Sequence, residues 1–122
     1  MRRWICPPLL VLALAGCDGE TGRPTEPFRA QVQSTALAGT EIAFYERGQG
    51  PPLVMLIGTG STMAEWDPAL LRLLAREHRL ILFDYPGVGL SEPWHGRSFD
   101  SLADLTAEFM TAIDLPEADV LG

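Results

Sequence analysis

Two short apolar runs, each broken off by a glycine loop and separated by one helix-sized segment, constrain this chain more than any other feature. Leu53-Val54-Met55-Leu56-Ile57 stops at Gly58-Thr59-Gly60-Ser61-Thr62, and Leu80-Ile81-Leu82-Phe83 stops at Asp84 and Tyr85-Pro86-Gly87-Val88-Gly89. A strand with one wet face alternates polar and apolar residues; a strand covered on both faces reads as an unbroken apolar run. Between the runs, Asp67 is a capping residue followed by Pro68 at the first helical position. A helix is expected over Asp67–Arg76, with Trp66, Leu70, Leu73 and Leu74 at helical spacing. Two buried strands joined by one helix form a parallel βαβ unit with a right-handed crossover. Chemistry in such sheets gathers at the carboxyl ends of the strands, where both glycine loops fall.

The flanking segments fit a sheet of this kind. Loose alternation over Gln31–Ser34 and Thr40–Glu46, with a turn near Ala38-Gly39, predicts an antiparallel hairpin leading into the sheet. Gly48-Gln49-Gly50-Pro51-Pro52 is a turn that delivers the chain to the first apolar strand. After the second loop, Ser98 is expected to cap a helix over Phe99–Asp114. Its stripe of Phe99, Leu102, Ala103, Thr106, Phe109, Met110 and Ile113 would cover one sheet face. Leu115-Pro116 ends that helix, because the residue before proline avoids the helical region. Ala118-Asp119-Val120-Leu121 begins a further strand, and Gly122 follows it.

The first 30 residues have a different character. Met1-Arg2-Arg3 precedes an apolar stretch from Trp4 to Gly16 that is broken by proline and too short to span a bilayer, which takes about 20 apolar residues. It fits the apolar core of a secretory signal. Leu14-Ala15-Gly16-Cys17 resembles the cleavage box of a bacterial lipoprotein. That resemblance implies a signal peptide over 1–16, acylation of Cys17, and attachment to a lipid bilayer. Asp18 resembles the signal for inner-membrane retention in hosts with two membranes, which would put the protein on the periplasmic face. Residues 17–30 then read as a polar tether, and 31–122 as one small domain.

Composition removes several classes of function. The net charge is −7 and all nine basic residues are arginine. Nucleic-acid binding needs clustered positive charge, so no nucleic-acid partner is expected. Without lysine there is no Walker phosphate loop. His78 and His95 are the only histidines, and Cys6 would leave with the signal peptide, so no metal site is expected. No cofactor is expected either.

The order of hairpin, Gly-x-Gly-Pro-Pro turn, apolar strand, glycine loop, Trp66-Asp67-Pro68 helix and strand ending at Asp84 resembles the α/β-hydrolase superfamily. The most specific piece is Asp84-x-Pro86-Gly87-x-Gly89-x-Ser91, and the resemblance covers about Glu41 to Gly122. It implies the N-terminal part of an α/β-hydrolase fold, in which a hairpin leads into a mostly parallel sheet with flanking helices. The strand at Ala118 would lead into a nucleophile elbow, G-x-S-x-G, whose first glycine is Gly122. The backbone N–H of Thr59, with Gly58 beside it, would be one donor of an oxyanion hole. The nucleophile (Ser, Asp or Cys), the acid and the histidine would all follow Gly122, so 31–122 reads as a fragment without a complete active site. Histidine is usual in the family where Ile57 stands here. The implied activity is hydrolysis of an ester, amide or related small molecule.

Other readings share parts of this frame. Gly58-Thr59-Gly60 before a helix, with acidic Asp84 ending the next strand, also resembles a dinucleotide-binding unit. Against it, Met63 stands at the third glycine position and the helix begins far from Gly58. A non-catalytic lipoprotein binding module, or an inactive truncated product of the same fold, is the alternative outside enzymes. Ser61, Ser91, Ser98 and Ser101 lie outside any nucleophile elbow, and Ser91 is expected to cap the turn after Gly89. Asp84 is expected to hold the second glycine loop through backbone N–H groups. His78 is expected at the surface near a helix end, and His95 in a loop.

Overall fold

The computed structural model describes residues 31–94 and 101–122. Its elements are β1 (Gln33–Leu37), β2 (Thr40–Arg47), β3 (Pro52–Met55), a single 3-10 turn (Met63–Glu65), α1 (Pro68–Leu74), β4 (Arg79–Phe83), α2 (Leu102–Ala112) and β5 (Asp119–Leu121). The segments expected to be a signal peptide (1–16) and a tether (17–30), together with His95, Ser98 and Phe99, lie outside the described residues.

One five-stranded sheet runs in the order β1-β2-β4-β3-β5. The hairpin β1–β2 pairs Leu37 with Thr40 across Ala38 and Gly39. Both turn residues have positive φ, +47° and +84°, which is the type I′ geometry that matches strand twist. β2 joins β4 antiparallel, Phe44 opposite Phe83. β4 and β3 are parallel, Leu53 opposite Leu80, and β3 and β5 are parallel, Met55 opposite Leu121. The parallel unit predicted from the two apolar runs is therefore present, with the hairpin on one side and β5 on the other.

The unbroken apolar runs have the cause that the pattern implied: alternate residues of one strand serve two cores. Ile42, Phe44, Val54, Ile81 and Phe83 point into a cluster closed by Leu105, Phe109 and Leu115 from α2 and its C-terminal turn. Ala43, Tyr45, Leu53, Met55, Leu80 and Leu82 point to the other face, where Met63 and Leu71 cover them. Phe83 stacks on Phe109 with centroids 4.2 Å apart and 19° between the planes. Phe44 meets the same ring edge-on at 5.6 Å. Burying rings of this size contributes most of what an apolar layer offers, and paired rings add about 0.5–1.5 kcal/mol beyond their area.

Helix boundaries follow their caps. Asp67 accepts from the amides of Ala69 and Leu70 at 2.6 and 3.0 Å, with Pro68 opening α1. The helix is shorter than the expected Asp67–Arg76, and its inward residue is Leu71; Leu70 and Leu73 are exposed. Spacing alone could not select which side of so short an apolar helix meets the sheet. In α2 the N-cap is Ser101, whose Oγ accepts from the Asp104 amide at 3.2 Å. The expected stripe also shifts: Leu102 and Ala103 are exposed, whereas Leu105, which it omitted, is buried with Thr106 and Phe109. At its end, Asp114 takes a left-handed φ of +56°. Leu115 N–H then reaches Met110 O at 2.8 Å, and Asp114 N–H reaches Thr111 O at 3.2 Å. These two bonds close a Schellman turn, and Leu115 drops into the core beyond it.

Glycine is required where the Gly48–Gly50 turn passes under α1. Gly48 has φ +82°, and a Cβ there would collide with the carbonyls of His78 and Ala75. The chain entering β3 is thus held against the C-terminal end of α1.

Candidate active site

The carboxyl ends of β3, β4 and β5 meet on one side of the sheet. Leu56, just past β3, donates its N–H to Leu121 O at 2.8 Å. That bond extends the parallel pairing to the strand tips and sets Gly122 against Leu56, where a Cβ on Gly122 would stand 3.3 Å from Leu56 Cβ. The loop Gly58–Thr62 therefore emerges next to the end of β5.

Residues 58–61 form a tight turn closed by Ser61 N–H to Gly58 O at 3.1 Å. Gly60 has φ +85°, the third-position geometry of a type II turn that glycine alone adopts without strain. A trans peptide is planar, so a carbonyl and the following N–H point in opposite directions. With the Gly58 carbonyl turned inward to Ser61, the Thr59 N–H faces outward. One peptide earlier, Tyr85 Oη donates to Ile57 O at 2.6 Å, which turns the Gly58 N–H away from Tyr85 in the same manner. Among the described residues, neither of these two amides has a hydrogen-bond acceptor, and both residues are exposed. Thr62 then opens the 3-10 turn with a capping box: its N–H and Oγ1 both reach Glu65 Oε1, at 3.0 and 3.2 Å.

Asp84 ties this loop to the next one. It is buried at the end of β4, 1% exposed, so its carboxylate must find donors inside the protein. Oδ1 accepts from Met63 N–H at 2.7 Å and Oδ2 from Leu90 N–H at 2.8 Å. The bond to Leu90 is the loop-holding role that the sequence suggested; the bond to Met63 adds the first glycine loop. Burial pushes the Asp84 carboxyl above the ordinary aspartate range, against the two amides that favour its charge. Gly89, at φ +55°, leaves room for this carboxylate, with which a Cβ would collide.

Ser91 does more than cap a turn. Its N–H does reach Val88 O at 3.1 Å. Its buried Oγ donates to Asp84 O at 2.7 Å and accepts from Ala43 N–H at 2.9 Å, so it fills a gap between β2 and the end of β4. His78 is half-buried, with Nδ1 3.3 Å from Leu74 O just past the end of α1, at the opposite end of β4 from the second glycine loop. Two roles escaped the sequence reading: the Tyr85 bond to Ile57 and the Asp84 bond to Met63. No local pattern announces either, because each joins residues more than 20 positions apart.

Among the described residues, no group of three His, Cys, Asp or Glu side chains is placed to hold a metal ion. An open depression of about 570 Å³ lies along Ala107, Met110, Thr111, Asp114, Leu115 and Pro116. It takes no residue from either glycine loop.

Comparison with known proteins agrees with this fold. The family model of the alpha/beta hydrolase fold matches residues 51–122. A non-heme chloroperoxidase of Kitasatospora aureofaciens is 32% identical over 89 residues, covering 72% of this chain and 32% of the relative. A pimeloyl-[acyl-carrier protein] methyl ester esterase of Vibrio vulnificus is 36% identical over 69 residues, covering 57% of this chain and 27% of the relative. Among solved structures, an alpha/beta hydrolase fold protein from Chitinophaga pinensis superposes with a TM-score of 0.63 at 35% identity, over 75% of this chain and 34% of that one. The chain thus spans about a third of the length of the relatives it matches. The sheet order, the glycine loops at the strand tips and the matched residues lead to one statement: this chain belongs to the α/β-hydrolase fold family.

Proposed function

We propose that this chain is the N-terminal part of a hydrolase that cleaves an ester, amide or related small substrate, and that it supplies half of the oxyanion hole. The observation that carries the reading is the pair of outward amides at Gly58 and Thr59 beside the tip of β5. Attack on a carbonyl carbon moves negative charge onto the carbonyl oxygen. Fixed backbone N–H donors stabilise that oxygen in the transition state without reorganising. The Thr59 N–H is the donor from this chain. A nucleophile on an elbow beginning at Gly122 would attack, and the amide after it would be the second donor. Acid and histidine would follow in chain order. The triad thus lies outside residues 1–122, and the chain by itself is inactive in this reading.

Relatives support hydrolysis, since one is an esterase by name, and the fold also carries a chloroperoxidase. Thr59→Pro in the full-length protein tests the reading, because proline lacks the N–H. Loss of one such donor costs about 10²–10³ in kcat in comparable sites. Turnover of p-nitrophenyl acetate within threefold of the unaltered protein would remove Thr59 from the site.

The same proposal places the protein at the membrane. Cleavage before Cys17 and acylation of its thiol would anchor the domain through 17–30, and two acyl chains hold far more firmly than one. Cys17→Ser is expected to release the protein from the membrane fraction; retention there would refute the anchor.

A further inference from the structure

The loop that carries the two outward amides is gripped at both ends by consecutive residues of one strand tip. Asp84 takes Met63 N–H, just after the loop, and Tyr85 takes Ile57 O, just before it. The two bonds are of different kinds. Asp84 holds a position in the main chain; Tyr85 holds the rotation of the peptide plane that the Gly58 N–H belongs to, since the Ile57 carbonyl and that N–H are rigidly opposed. The next plane, which carries the Thr59 N–H, is set by the turn closing at Ser61, and that turn starts from the Gly58 plane that Tyr85 fixes.

Tyr85 is itself built to hold still. Its ring meets Phe83 edge-on at 5.5 Å and packs against the core cluster around Phe109. Burial raises the pKa of its phenol, so the hydroxyl stays protonated and able to donate. Ile57, by contrast, brings no polar side chain of its own to fix this peptide.

We infer that Tyr85 is a positioning residue for the anion-binding amide of Thr59, acting through the Ile57 carbonyl and the Gly58 peptide plane from which the turn starts. The inference rests on the proposed oxyanion hole. It assigns to a side chain outside the reacting groups the pre-orientation of donors that would otherwise have to be ordered during the reaction. Without the hydroxyl the Ile57 carbonyl turns toward water, the turn loses its fixed start, and the Thr59 amide samples directions in which it cannot reach a tetrahedral oxygen. Ground-state substrate binding depends little on that orientation, so the loss falls on kcat and leaves KM nearly unchanged.

Tyr85→Phe removes one oxygen atom and keeps the ring. In the full-length protein it is expected to lower kcat for p-nitrophenyl acetate about tenfold, with KM within twofold. Amide hydrogen exchange supplies a readout that needs no activity. The variant is expected to speed exchange of the Ser61 and Thr62 amides, which are hydrogen-bonded within the loop, at least fivefold and to leave β3 and β4 protected. Unchanged exchange at Ser61 and Thr62 overturns the clamp, whether or not the protein is active. Faster exchange with unchanged kcat leaves a clamp that positions nothing for catalysis, and overturns the inference. Loss of protection throughout the sheet would show that the hydroxyl supports the fold as a whole, which also overturns it. An inactive unaltered protein removes the hydrolase reading beneath the inference, and the exchange data still decide the clamp.

Discussion

Replacing Asp84 by asparagine isolates the charge that joins the two glycine loops. The side chain keeps its shape but offers one acceptor and one donor where the carboxylate offers two acceptors. Its oxygen can serve either Met63 N–H or Leu90 N–H, now bonded at 2.7 and 2.8 Å, and the NH₂ group then faces the other amide. A hydrogen bond to a buried charge contributes about 1.5–3 kcal/mol, and a stranded buried N–H adds to its loss. Part of this is offset because a buried charge disappears. The expected net destabilisation is about 2 kcal/mol at neutral pH, or roughly 10 °C in Tm for a domain of this size. Urea and thermal unfolding of both proteins, followed by circular dichroism, would measure it. The pH dependence supplies a second check. Because burial raises the Asp84 pKa in the folded state, the folded protein takes up this proton before the unfolded chain does. Asp84 therefore adds stability as pH falls through its raised pKa toward the ordinary aspartate value, and subtracts it as pH rises again. The asparagine variant has no such titration, so the gap between the two proteins should widen from pH 7 into the weakly acidic range. A D84N variant within 0.5 kcal/mol of the unaltered protein, or a gap that narrows on acidification, would refute the argument.

Two further substitutions test the scaffold. Gly89→Ala places a methyl group against the Asp84 carboxylate at a φ of +55°, so the loop must give way; a loss of roughly 3 kcal/mol is expected, and a change below 1 kcal/mol in chemical denaturation would show that the loop shifts freely. Phe109→Ala removes the ring that stacks on Phe83 and meets Phe44; about 3–5 kcal/mol should go, read as a lower denaturant midpoint at unchanged slope, and retention of most of the stability would mean that α2 contributes little to its core face.

The sequence by itself determined the frame. Unbroken apolar runs at Leu53 and Leu80 required strands buried on both faces, because only such strands need no polar side. Asp67-Pro68 and Ala38-Gly39 encode a cap and a turn within two residues each, so local chemistry sufficed to place them. The run from Asp84 to Ser91 carried the family. Tertiary structure decided what depends on distant partners. Which side of a short helix meets the sheet is settled by the space left for it, so Leu71 and Leu105 went inward where spacing favoured their neighbours. Ser91 and Tyr85 have polar groups whose partners, Ala43 and Ile57, lie 48 and 28 residues away, and no local signal specifies a bond that forms only once two strand tips have met. The direction of the Thr59 amide belongs to the same class, since a backbone N–H is present at every residue but proline, and only the folded chain gives it an aim.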